Sequence, residues 1–144
     1  NNLLDETTGF LENEARYVNI SIEKDYADDV PVITSDLSQI QQVVLNLLNN
    51  AMDAVGTNGV IAVTSRYHAK NDEVEISIAD TGKGMSEAEL NKIFDPFFTT
   101  KEVGKGTGLG LSISYSIIEK LGGKIKVQST LGKGTVFTIL LPKH

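Results

Sequence analysis

The stretch VEISIADTGKGM, Val74 to Met85, decides what kind of sheet this chain builds. Val74, Ile76, Ile78 and Asp80 recur at every second residue, so on a strand they share one side. That side is apolar until its last member. An apolar side needs a cover, and Asp80 then points into the covered interior, where a carboxylate requires a donor. Gly82 and Gly84 follow at once, and glycine permits unusual dihedrals and close approach of a ligand to the backbone. Two readings stay open on this stretch alone. An amino-purine fits, because its exocyclic amine donates to a carboxylate while its ring packs on apolar neighbours. Asp-Thr-Gly is equally ordinary turn chemistry.

Working outward, the same alternation returns. Lys124, Lys126 and Gln128 alternate with Ile125, Val127 and Ser129, which means a sheet wet on one side and helix-covered on the other. Strands are expected at Val60–Tyr67 and Glu73–Asp80, at Lys124–Ser129 and Thr135–Leu141 around the turn TLGKG, and in the alternating Val18, Ile20 and Ile22. Helices are expected over 2–16, where Gly9 is a poor fit, from an Asp36 cap with Gln39 as capping-box partner to about Val55, from a Ser86 cap through Ile93, and from about Leu109 to Leu121, closed by Gly122-Gly123. The fold class is α+β, a two-layer sandwich with a five-stranded sheet covered on one face by about three helices.

Bulk properties narrow the function. With 144 residues, the chain suits one core. A composition of 40% hydrophobic and 22% charged residues is that of an ordinary globule. No apolar run approaches membrane-spanning length, and the opening NNLLDETTGF lacks the pattern of a signal peptide. Cysteine is absent, which excludes disulfides and thiol chemistry and fits a reducing compartment. A net charge of -6 argues against a nucleic-acid face.

Two further stretches carry chemistry. NLLNNAMDA places Asn46, Asn50 and Asp53 at i, i+4 and i+7, a polar stripe turned about 100° from the Ile40–Leu47 core stripe. Asparagine oxygens suit a hard cation such as magnesium, which keeps waters and takes few protein ligands; an ordinary solvated face reads the same way. In GKGTGLG, Gly104, Gly106, Gly108 and Gly110 precede an apolar helix. Bare amides at a helix N-terminus favour phosphate, with Lys101 and Lys105 nearby; a plain surface loop is the alternative. Neither a P-loop nor the dinucleotide fingerprint fits: no Gly-Lys pair is followed by Ser or Thr, and the sixth position from Gly104 or Gly106 is leucine.

The order of these blocks resembles the catalytic, ATP-binding domain of sensor histidine kinases in the GHKL ATPase superfamily. NLLNNAMDA resembles the N box, DTGKGM (Asp80–Met85) the G1 box, IFDPFFTTK (Ile93–Lys101) the F box, GKGTGLGL (Gly104–Leu111) the G2 box and GKGT (Gly132–Thr135) the terminal glycine motif. Any one box is weak, whereas five in order are specific, and they cover the chain from about Val18. The resemblance implies a mixed sheet of the Bergerat type. It implies ATP and Mg2+ as ligands, with Asn50 on the metal, Asn46 toward the phosphates, Asp80 on the adenine amine and Gly82 and Gly84 shaping that wall. Lys101, Gly104, Lys105, Gly106, Thr107, Gly108, Leu109 and Gly110 would form a lid over the triphosphate, and Thr135 completes the binding set. Phe94, Phe97 and Phe98 would pack the base of the lid.

Departures from the family's patterns also inform. Hydrolysing branches of the superfamily carry a glutamate base four residues before the magnesium asparagine; here that position is Asn46. An amide takes no proton at neutral pH, which favours transfer of the γ-phosphoryl to a protein side chain over hydrolysis. Asp53 stands where some relatives have Lys or Arg. Neither histidine, His68 in an expected strand-end loop or the terminal His144, has the context of a phosphoacceptor, and no catalytic base is identifiable. The resemblance therefore implies that residues 1–16 follow an absent phosphoacceptor hairpin, with the catalytic domain over 17–144. It implies that hairpin and a downstream response regulator as partners, no nucleic acid, no direct membrane contact, a monomer as an isolated domain, and a cytoplasmic place even where the parent is membrane-anchored. A serine kinase of the anti-sigma-factor type and a degenerate nucleotide-sensing module are the competing readings.

Overall fold

A computed structural model describes residues 1–33, 35–93 and 110–143. The elements in chain order are α1 (Asn2–Tyr17), β1 (Ile20–Tyr26), α2 (Leu37–Val55), β2 (Gly59–His68), β3 (Glu73–Asp80), α3 (Glu87–Leu90), α4 (Gly110–Lys120), β4 (Lys124–Thr130) and β5 (Gly134–Pro142). The strands form one mixed sheet in the order β1-β2-β3-β5-β4, with β1 parallel to β2 and the other pairs antiparallel.

The alternation in β3 governs the packing. Register places Val63, Ile78, Phe137 and Val127 in one row across the sheet, and Ser65, Ile76, Ile139 and Ile125 in the next. Val63, Ile76, Ile78, Phe137 and Ile139 are buried there, under a cover of α1, α2 and α4. The α2 stripe of Ile40, Val43, Val44, Leu47, Leu48 and Ala51 fills the middle of this core. Each fully buried aliphatic side chain contributes about 1.5–3 kcal/mol. The α+β sandwich with a helix-covered five-stranded sheet is thus the observed architecture.

Differences from the expected elements have local causes. The first strand begins at Ile20 instead of Val18, because α1 runs one residue further, to Tyr17, and Asn19 turns the chain at φ 59. Only Glu87–Leu90 is helical after Ser86, short of the expected Ile93. Ser86 and Glu89 do form a full capping box, but four residues bury no side chain that would hold a longer helix in place. At α2 the Asp36 carboxylate accepts from Gln39 N–H at 3.2 Å, which starts the helix where the cap was expected. His68 is the final residue of β2, with Nε2 3.2 Å from Glu75 Oε1, not a loop residue. Leu109, the expected start of the last helix, lies outside the described residues.

Candidate functional site

Asp80 ends β3 on the covered side of the sheet, half-buried as the alternation predicts. Its Oδ1 accepts from Gly82 N–H at 2.8 Å, and Thr135 N–H donates to the same carboxylate. Burial pushes the Asp80 carboxyl above its ordinary value, and these two donors offset part of that rise. In register, Asp80 pairs with Thr135, which pairs with Ser129. Across β3, β5 and β4 the row that closes this end of the sheet is therefore polar, with the buried Ile61 continuing it in β2, while on the same three strands the rows behind it are apolar.

The loop after Asp80 is tied down on both sides. Thr81 N–H donates to Val60 C=O and Lys83 N–H to Ala54 C=O, which anchors the loop to β2 and to the last turn of α2. Gly132 N–H reaches Lys83 C=O at 2.6 Å from the β4–β5 turn. Gly82 lies so close to α2 that a Cβ would meet the Ala54 carbonyl carbon at 2.6 Å. Gly84 has φ 68 and abuts the Thr130 backbone. Both glycines are thus required by close protein packing, apart from any ligand.

The polar stripe of α2 runs beside this loop. Asn46 and Asn50 are half-buried and Asp53 is exposed, so the stripe leaves the interior as it approaches the end of α2. Asn46 Nδ2 donates to Gly110 C=O at 3.3 Å and to Ser114 Oγ at 3.2 Å, and Ser114 Oγ donates back to Gly110 C=O at 2.8 Å. Asn46 thereby fastens the first turn of α4 to α2. Ser114 is fully buried and had no place in the sequence reading. Its partner comes from an element 68 residues away, so no local pattern marks it. Asn50 lies one turn before Ala54 and thus beside the Asp80 loop. Among the described residues there is no group of three His, Cys, Asp or Glu that would hold a metal by itself. An ion next to Asn50 would rely on few protein ligands, as magnesium does.

Of the expected site residues, the structure gathers Asp80, Gly82, Gly84 and Thr135 at one end of the sheet, with Asn46, Asn50 and Gly110 on the adjoining helices. Lys101, Gly104, Lys105, Gly106, Thr107, Gly108 and Leu109, with Phe94, Phe97, Phe98 and His144, lie outside the described residues. No described helix is long and apolar enough to cross a membrane.

The mixed, helix-covered sheet that brings together a half-buried carboxylate, a glycine loop and an asparagine-bearing helix is the fold of the histidine-kinase-like ATPases. The chain belongs to that family: the profile of histidine kinase-, DNA gyrase B- and HSP90-like ATPases matches residues 35–144. Within it, this is a catalytic ATP-binding domain of the sensor histidine kinase kind. Sporulation kinase E of Bacillus subtilis (strain 168) is 43% identical over 140 residues, 97% of this chain and 19% of the relative. Sensor histidine kinase ZraS of Escherichia coli (strain K12) is 40% identical over 142 residues, 99% of this chain and 30% of the relative. The chain spans less than a third of either relative's length. The nucleotide-free catalytic domain of histidine kinase ThkA superposes with a TM-score of 0.88 at 38% identity, covering 99% of this chain and 91% of that one. ThkA in complex with the response regulator protein TrrA matches with a TM-score of 0.84 at 35% identity, over 99% and 40%. Full-length ShkA in complex with AMPPNP matches with a TM-score of 0.88 at 28% identity, over 98% and 29%.

Proposed function

We propose that this chain binds MgATP and transfers the γ-phosphoryl group to a histidine on a dimerisation hairpin outside it, within a longer sensor kinase that works on the cytoplasmic side and passes the phosphoryl group to a response regulator. The observation that carries the reading is Asp80: a half-buried carboxylate, held by two backbone N–H groups at the end of apolar rows. Such a group suits an exocyclic amine whose ring stacks on apolar neighbours. Asn50 would hold Mg2+ through its amide oxygen, with water and phosphate oxygens completing the shell. The ion would neutralise charge on the triphosphate. Asn46 supports transfer over hydrolysis, since an amide accepts no proton from water and its Nδ2 is engaged with Gly110 and Ser114. Lys101, Gly104, Lys105, Gly106, Thr107, Gly108 and Leu109 would enclose the phosphates, and Gly110 would present the start of α4 to them. Complexes of ThkA with TrrA and of ShkA with AMPPNP support the choice of partner and ligand.

The test is a calorimetric titration with a non-hydrolysable MgATP analogue, on the wild-type chain and on Asp80→Asn. The wild type binds, and the variant loses most of that affinity. Equal affinity in both would put the base elsewhere. Supplying the parent protein's hairpin with labelled ATP should then yield an acid-labile, alkali-stable phosphohistidine; an alkali-labile or absent product would exclude histidine as the acceptor.

A further inference from the structure

The polar row at the end of the sheet has a third member to which the proposed function gives no part. Ser129 Oγ accepts from Met85 N–H at 2.7 Å, donates to Gly134 C=O at 3.0 Å and lies 2.8 Å from Thr135 Oγ1. A hydroxyl has one proton. With that proton on Gly134, Thr135 Oγ1 is the donor in the last pair.

The Gly134 bond reaches Asp80. Gly134 C=O and Thr135 N–H belong to one planar peptide unit. Its N–H donates to the Asp80 carboxylate while its C=O is held by Ser129. The unit also sits against β3: Gly134 has φ 137, and a Cβ there would collide with the Asp80 carbonyl oxygen. The Met85 bond acts from the other direction. Met85 closes the loop that starts at Thr81 and includes Gly82, whose N–H is the second donor to Asp80. Both donors to the carboxylate are therefore held, one peptide or one short loop away, by the same hydroxyl.

The geometry assigns Ser129 as a positioning residue for base recognition: through the Gly134–Thr135 peptide and the Met85 end of the loop, it fixes where the Asp80 oxygens stand against the amine of a bound adenine. This rests on the reading of Asp80 as the base-reading group. A hydroxyl that merely joined strands would affect all nucleotides alike. One that sets the Asp80 oxygens affects only the discrimination between a base with an amine at that position and one with a carbonyl.

The experiment titrates the chain with the β,γ-imido analogues of MgATP and of MgITP, which differ in that group, for the wild type, Ser129→Ala and Ser129→Thr. The wild type prefers the adenine analogue. In Ser129→Ala the preference falls by about tenfold, the scale of one displaced hydrogen bond, while affinity for the inosine analogue is unchanged. Ser129→Thr keeps the hydroxyl and restores the preference. Wild-type preference surviving in Ser129→Ala overturns the proposal, as does an equal loss for both analogues. A wild type without preference removes the base-reading role of Asp80, and the role of Ser129 with it.

Discussion

At Asp80, the proposed function and stability are opposed. Its carboxyl pKa is raised above the ordinary 3.8, chiefly by burial. A raised carboxyl pKa means that the folded chain holds the proton more tightly than the unfolded one. The resulting stabilisation is full below 3.8 and is lost as pH rises through the folded value, so at neutral pH the ionised group is a cost borne by the fold. Asp80→Asn never ionises, and its amide oxygen can still accept from Gly82. The variant's unfolding free energy relative to wild type should therefore rise from pH 3 to pH 7, measured by denaturant titration at each pH. On the proposed reading, the same substitution loses most of the affinity for a MgATP analogue. A variant less stable than wild type at pH 7 would show that the charge itself holds the loop. Period-two spacing made the inward orientation of Asp80 legible, because β3 is regular to its last residue. Ser129 was legible only as one more position in an alternating strand. Its meaning depends on which residues of β5 and of the Asp80 loop face it, and register between strands is written in no single strand.

The helices show the same division between local and distant causes. Cap and stripe fix α2 locally: Asp36 binds Gln39 N–H, and the apolar residues recur at helical spacing. Asp36→Ala should cost about 1 kcal/mol, the usual value of an N-cap oxygen, read as a shift of the denaturation midpoint at constant slope. Gly9 was a sound reason to doubt α1, and tertiary packing overrides it, because Leu4, Leu11 and Ala15 are buried in the common core. Gly9 is exposed, and a Cβ there meets nothing within 4 Å. Gly9→Ala should stabilise the chain by about 0.5–1 kcal/mol, from helix propensity alone. Thermal unfolding checks this, and a lowered midpoint would mean that α1 needs the flexibility. The junction of α4 with α2 was not legible. Asn46 was read for its chemistry toward phosphate, whereas in this structure its amide nitrogen binds Gly110 and the buried Ser114 across the helix pair.

On the scale of the molecule, the boundaries of the family profile and of the physical core differ. The profile begins at residue 35, after α1 and β1. Yet β1 pairs with seven residues of β2, from Gly59 to Ser65, and Leu4, Leu11, Ala15 and Ile20 belong to the same core as α2. A chain cut to residues 35–144 would lose the burial of Leu4, Leu11 and Ile20, each contributing about 1.5–3 kcal/mol. It would also turn β2 into an open edge beside uncovered apolar surface on α2, a template for aggregation. Set against a usual domain stability of about 5–15 kcal/mol, that loss removes most or all of the margin. The shortened chain should therefore show no cooperative thermal transition and should sediment as aggregate, where the full chain gives one sharp transition. A shortened chain that stayed monomeric, with a midpoint within a few degrees of the full one, would make α1 and β1 appendages to a core that is complete without them. The proposed nucleotide end offers an independent check on the same samples. Asp80, Thr135 and Ser129 lie across β3, β5 and β4, separated from β1 by β2. If the full chain binds a MgATP analogue and the shortened one does not, that loss must come from collapse of the core beneath the site, since none of its residues has been removed.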